Sequence, residues 1–92
     1  MGGRPLWHLS LSSWEDGRPR PVLRWSLTER RRIEHIRDRI FRGLGTDEAL
    51  IYEDMTDFNP QTIIATWRKP LRIDEINQMG PTPEVRLRPG RP

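Results

Sequence analysis

An amphipathic segment from Trp25 to Gly45 constrains the fold of this chain more than any other part. Its apolar side chains recur at steps of three or four residues, with Phe41 beside them: Ile33, Ile36, Ile40 and Leu44. That spacing places them on one face of an α-helix, and such a face must be buried against another element. The segment therefore predicts one main helix with an apolar inner face.

Residue types also mark the two ends of this helix. Ser26 and Glu29 have the S-x-x-E spacing of a capping box, in which each side chain accepts the other's backbone N–H, so the helix is expected to begin at Ser26. Gly43 or Gly45 is expected to end it, because glycine enters the left-handed region after a helix without a steric penalty.

Alternation of apolar and polar residues predicts a small sheet around the helix. Residues 7–12 read as a half-buried strand, and residues 22–25 read as a short edge strand beside it. Residues 48–54 and 62–68 are apolar or β-branched and are separated by turn-forming residues, which predicts a hairpin.

Two further segments complete this interpretation. Residues 14–21, WEDGRPRP, are expected to form a loop, because Asp16-Gly17 is a turn signal and Pro19 and Pro21 disfavour regular pairing. Residues 73–79 carry apolar side chains at three-residue steps before Gly80, which indicates a short helix or 3₁₀ turn covering the sheet.

The predicted fold class is α+β: a small three- to four-stranded, mainly antiparallel sheet packed on one amphipathic helix, with extended Pro/Arg-rich ends. A chain of 92 residues makes one small domain, which buries only about 60–65% of the surface its unfolded form exposes. We expect a flexible N-terminus at residues 1–5, a single domain at 6–79 and an extended tail at 80–92.

Composition narrows the function classes. The chain has no cysteine, which excludes disulfides, thiolate metal cages and a cysteine nucleophile. No stretch approaches the roughly 20 apolar residues of a membrane span, and residues 1–13 lack the apolar core of a secretory signal. A soluble protein of the cytoplasm is the expectation, with no membrane partner.

Candidates for catalysis or metal binding are sparse. His8 lies beside Ser10 and Ser12 on one strand face, but no G-x-S-x-G elbow or orienting third group accompanies it. The carboxylates of residues 53, 54 and 57 surround a turn, where solvated turn formers are the simpler interpretation. We therefore expect no enzymatic activity, no cofactor and no metal.

The outer face of the predicted helix is basic. It carries Arg31, Arg32, His35, Asp38, Arg39 and Arg42. From Glu29 to Arg42 six arginines accompany three acids, a balance of +3 that equals the net charge of the chain. This face is either a surface for acidic or phosphate-bearing partners, or a solvated face with intrahelical pairs such as Asp38 with Arg42.

The four tryptophans divide into two groups. Trp7 and Trp67 are expected in the core, whereas Trp14 and Trp25 flank an arginine- and proline-rich segment and can anchor a partner. The arginines of the tail are expected to extend the partner-binding surface. The predicted partner-binding residues are Arg31, Arg32, His35, Arg39, Arg42, Trp14, Trp25, Arg86 and Arg88.

The order of W-H-L-S-L-S at residues 7–12, the helix, a strand at 49–54 and a strand ending at Trp67 resembles small uncharacterised proteins encoded by bacteriophages of GC-rich, actinobacterial-type hosts. The similarity spans roughly residues 6–70, and this chain departs from it at WEDGRPRP and in the tail. The resemblance implies a phage accessory or virion-associated protein, such as a capsid or connector component, made in the host cytoplasm. It supplies no catalytic residue.

Two functions follow from these observations. The first is a non-enzymatic protein–protein interaction module that binds a protein partner, or further copies of itself, through the basic helix face, the tryptophans and the extended ends. The alternative is a small basic nucleic-acid-binding regulator, suggested by the sequence pI of about 10.5, in which the arginines of the helix neutralise phosphates.

Overall fold

The computed structural model describes residues 5–45, 49–79 and 85–86. Only the backbone is described for residues 49, 50, 77–79, 85 and 86. Seven elements follow one another along these residues: β1 (Trp7–Glu15), β2 (Arg18–Leu27), α1 (Arg30–Leu44), β3 (Ala49–Met55), β4 (Gln61–Trp67), α2 (Ile73–Met79) and β5 (Val85–Arg86). Neither described helix is long and apolar enough to cross a membrane.

The strands form one mixed sheet in the order β3-β4-β1-β2-β5, in which β5 contributes only two residues. Three neighbouring pairs are antiparallel, whereas the central pair, β1 with β4, is parallel. The predicted α+β class and the mainly antiparallel sheet are confirmed, as are the β3–β4 hairpin and the short helix at 73–79. The parallel pair is an addition to the prediction.

The predicted loop at residues 14–21 is wrong, because these residues belong to a long β-hairpin. Only Asp16 and Gly17 lie outside the strands, with φ angles of 54° and 78°. A two-residue turn with positive φ at both positions matches the twist of the strands it joins. Pro19 and Pro21 pair with Trp14 and Ser12. Proline is tolerated there because the described part of β5 reaches only two residues of β2, so β2 is otherwise an edge strand.

The predicted helix start at Ser26 is also wrong. Ser26 lies in β2 opposite His8, and its hydroxyl bonds the imidazole of that residue. Helix α1 begins at Arg30 after Glu29, whose side chain makes no capping hydrogen bond. Pairing with β1 thus outweighs the local capping signal, which is the usual result when tertiary contacts and intrinsic propensity compete.

Gly45, not Gly43, ends the helix. Its φ of 87° lies in the region that favours glycine, and its N–H donates to the carbonyl oxygen of Phe41 at 2.8 Å. Its own carbonyl accepts the indole N–H of Trp67 at 3.0 Å. The helix end is therefore fixed to β4 as well as to its own last turn.

The core lies between the sheet and α1. The apolar stripe of α1 is buried as predicted, and it packs on alternate residues of β1, β2 and β4 with Ile76 of α2 beside it. Ser13 accepts the backbone N–H of Leu71 at 3.0 Å, which ties the segment before α2 to β1. The buried apolar residues are Leu9, Leu11, Val22, Leu23, Trp25, Ile33, Ile36, Ile40, Leu44, Ile63, Ala65, Trp67 and Ile76.

The two glycines at the helix end provide a matched pair of variants. Gly45→Ala is expected to lower the free energy of unfolding by about 1–3 kcal/mol, because a Cβ is strained at positive φ. Gly43→Ala is expected to raise it by about 0.5–1 kcal/mol, because Gly43 is exposed inside the helix. Urea denaturation of both variants measures the difference, and equal effects would contradict the assigned helix end.

Candidate functional site

Helix α1 presents a continuous basic surface to solvent. We define the basic helix face as Arg31, Arg32, His35, Arg39 and Arg42. All five residues are exposed, on the side opposite the buried isoleucines. The burial of that apolar stripe fixes the rotation of the helix and therefore determines which arginines point outward.

Both acids of α1 form ion pairs with arginines of the same helix. Glu34 accepts the guanidinium of Arg30 at 3.0 Å, and Asp38 accepts that of Arg37 at 3.0 Å. Arg37 also donates to the hydroxyl of Tyr52 in β3 at 3.1 Å. Asp38 is thus taken by Arg37, and the predicted pair of Asp38 with Arg42 is not formed.

This arrangement leaves much of the basic helix face without acidic neighbours. Arg31, Arg32 and Arg42 form no ion pair with any residue that the structure describes. The interpretation of this surface as a helix face neutralised by its own salt bridges therefore does not hold for these three arginines. The outer surface carries uncompensated positive charge.

A small pocket opens within the basic helix face. Arg31, Arg32 and His35 line it together with Ile36, and its volume is about 270 Å³. Pockets for drug-sized ligands usually run from about 300 to 1,000 Å³. The size suits one inserted side chain better than a large cofactor.

The first turn of α1 is electrostatically unfavourable in isolation. It contains three arginines and no acid, although the positive end of the helix macrodipole favours negative charge. Arg30 is compensated by Glu34, whereas Arg31 and Arg32 are not. Negative charge supplied from outside is therefore favoured at this end of the helix.

The structure separates the two tryptophans that were predicted as partner anchors. Trp14 is 36% exposed, near the tip of the β1–β2 hairpin. Trp25 is 1% exposed and belongs to the core, because alternation along β2 turns it toward α1. Trp25 is therefore corrected from an anchor to a core residue. Of the tail arginines, Arg86 lies in β5 without a described side chain, and Arg88 lies outside the described residues.

Sequence reasoning missed a polar cluster on the opposite face of the sheet. His8 Nδ1 lies 2.8 Å from the hydroxyl oxygen of Ser26, and Arg24 lies two residues before Ser26 in β2, opposite Ser10. Burial lowers the pKa of His8 below its ordinary value, and the positive charge of Arg24 lowers this pKa further. His8 is thus biased toward its neutral form.

The pairing of Ser26 with His8 has a signal in the sequence. Asp16-Gly17 is a hairpin turn, and the alternation of Leu23, Trp25 and Leu27 continues the strand beyond the position assigned to the helix cap. Counting outward from the turn brings Ser26 next to His8 once one bulged residue is allowed. That bulge, between Leu11 and Ser12, has no clear sequence mark.

The carboxylates around the β3–β4 turn have a structural role. Asp54 accepts both the hydroxyl and the backbone N–H of Thr56, at 2.8 and 3.1 Å. The hydroxyl hydrogen bond is the main reason why the pKa of Asp54 lies below its ordinary value. Among the described residues, no group of three potential ligands is placed to hold a metal ion.

Comparisons with protein families, with curated proteins and with solved structures find no match for this chain. The resemblance to phage-encoded proteins stays a prediction.

The environment of His8 makes a testable pH prediction. Its pKa, measured by NMR titration, is expected below the ordinary value of 6.5. Arg24→Gln is expected to raise this pKa while leaving it below 6.5, because burial is the larger cause. Arg18→Gln, at the far end of the same strand, is the control and should leave the pKa unchanged.

The same shift affects stability. Because the unfolded chain takes up the His8 proton more readily than the folded one, the free energy of unfolding should fall as the pH drops through about 6.5. His8→Gln should remove this part of the pH dependence. A His8 pKa at or above its ordinary value would contradict the described environment.

Proposed function

We propose that this protein is a non-enzymatic protein–protein interaction module that binds an acidic surface of its partner through the basic helix face. The observation that carries the proposal is the division of charge on α1. Glu34 and Asp38 are paired with Arg30 and Arg37. Arg31, Arg32 and Arg42 form no ion pair with a described residue and are left to attract an external anion.

The start of the helix supports the same proposal. Arg31 and Arg32 occupy its first turn, where positive charge opposes the macrodipole and no acid is present. An acidic partner docked there interacts favourably with both guanidinium groups and with the unpaired N–H groups of the first turn. The placement lowers the stability of the free helix and favours the bound state.

The pocket gives the basic helix face a feature that suits specific binding, and Trp14 offers a separate anchor on the β1–β2 hairpin. The pocket beside His35 has room for an acidic side chain and an apolar floor at Ile36. Trp14 is an exposed aromatic at the hairpin, of the type that often anchors protein interfaces. On the resemblance described above, we place the partner in a bacteriophage assembly, with the protein acting as an accessory or virion-associated component made in the host cytoplasm.

The alternative function, a small nucleic-acid-binding regulator, uses the same arginines. Its specific support is that Arg31, Arg32 and Arg42 have no ion pair among the described residues and are free to contact phosphates. Salt dependence separates the two functions. If each of the four arginines of the basic helix face neutralises one phosphate of duplex DNA, a plot of log binding constant against log salt concentration has a slope of about −3 to −4.

The proposal is tested with two fluorescent probes in anisotropy titrations: a glutamate-rich peptide and a random-sequence DNA duplex. We expect the peptide to bind with the shallower salt slope. The double variant Arg31→Glu/Arg32→Glu is expected to weaken peptide binding by at least about tenfold, which corresponds to about 1.4 kcal/mol.

A matched control changes the same charge elsewhere. Arg18→Glu/Arg68→Glu alters two exposed arginines outside α1 and should leave peptide binding nearly unchanged. The helix variant should also gain thermal stability, because each acid in the first turn contributes about 0.3–1 kcal/mol at low salt. Steep salt-dependent binding of DNA without peptide binding would favour the regulator, and binding of neither probe would contradict both functions.

A further inference from the structure

The face of the sheet opposite α1 carries a second cationic cluster, separate from the basic helix face. His8 and Ser10 alternate with the buried Leu9 and Leu11, so their side chains point away from the helix. Ser26 and Arg24 are their cross-strand neighbours in β2. We define the sheet-face cluster as His8, Arg24 and Ser26.

Arg24 is the unusual member of this cluster. It forms no ion pair with a described residue, and its Nε is buried without a hydrogen-bond partner. A buried donor left unsatisfied is destabilising, and more so when the group is charged. Native proteins rarely leave such a group unpaired unless a ligand, an ion or water satisfies it.

The hydroxyl groups beside His8 have different roles. On the β4 side, the hydroxyl of Thr62 donates to the carbonyl of Pro60 at 3.1 Å and is thereby occupied. On the β2 side, the hydroxyl of Ser26 has His8 Nδ1 as its partner among the described residues. When Nδ1–H donates to Ser26 Oγ, the serine proton is free to point at a third group.

We propose that the sheet-face cluster binds the phosphate dianion, free or as a phosphomonoester. The guanidinium of Arg24 supplies the charge and planar donors that match phosphate oxygens. The hydroxyl of Ser26, oriented by His8, donates a further hydrogen bond to the same anion. The three groups come from adjacent strands, so the sheet holds them at fixed spacing.

The electrostatics of His8 support this assignment. Arg24 is close enough to lower the pKa of His8, so both side chains act on the same region of the face. A bound dianion offsets the charge of Arg24 at this point. The guanidinium of Arg24, together with a hydroxyl donor oriented by the neutral imidazole of His8, makes a complementary site for an oxyanion.

The two histidines of the chain allow one experiment to observe both basic surfaces. His8 reports on the sheet-face cluster and His35 reports on the basic helix face. The full chain is titrated with sodium phosphate, and separately with methyl phosphate, near neutral pH, with ionic strength held constant by sodium chloride. The imidazole signals are followed by NMR. We expect saturable movement of the His8 signals, and the ligand with the lower half-saturation concentration identifies the preferred source.

Arg24→Gln is expected to weaken this response by at least about tenfold, equivalent to about 1.4 kcal/mol, while Arg18→Gln leaves it intact. Arg24→Lys keeps the charge without the planar donors and should bind phosphate with intermediate strength. An intermediate affinity shows that the variants remain folded and that binding depends on the group at position 24. Wild-type His8 signals that fail to move, or that move equally with chloride alone, would overturn the proposal. So would an unchanged response in a folded Arg24→Gln protein. Either result leaves the function proposed for α1 unaffected.

Discussion

Packing of the apolar stripe of α1 against the sheet is the constraint on which the rest of this structure depends. Burial of Ile33, Ile36, Ile40 and Leu44 fixes the rotation of the helix about its axis. Once the rotation is fixed, the side of the helix on which every other residue lies is fixed as well. Arg37 reaches Tyr52 of β3 and Arg30 pairs with Glu34, while Arg31 and Arg42 turn to solvent. The basic helix face is therefore a consequence of core packing, combined with arginine at positions that the core leaves free.

Periodicity made this part of the fold predictable. A stripe at steps of three and four identifies both the buried side and the exposed side of a helix, so the basic helix face could be anticipated residue by residue. Alternation likewise identified β1, and the apolar and β-branched content of residues 48–54 and 62–68 identified β3, β4 and their hairpin. These signals are local, and each depends on one element only.

The errors arose where a local signal competed with a long-range contact. Ser26 carries a good capping pattern, yet pairing with β1 keeps it in a strand. Pro19 and Pro21 suggest a loop, yet an edge strand accepts them. Trp25 was separated from the core by the same misplaced boundary, because extending β2 to Leu27 turns its side chain inward. The sheet-face cluster could not be inferred without that register, since it joins residues of two strands.

The two basic surfaces differ in how they relate to stability. A domain of this size is stable by only about 5–15 kcal/mol, so uncompensated charge is a noticeable fraction of the total. On α1, the arginines of the first turn oppose the macrodipole, but they are exposed and the cost of each is a few tenths to about 1 kcal/mol. On the sheet face, Arg24 has a buried nitrogen without a partner, and that cost is larger because water cannot solvate the buried donor. An exposed charge can persist for solubility alone, whereas a buried donor is usually satisfied by protein, ligand, ion or water. Phosphate binding as proposed would therefore remove a larger cost on the sheet face than an acidic partner would remove on the basic helix face.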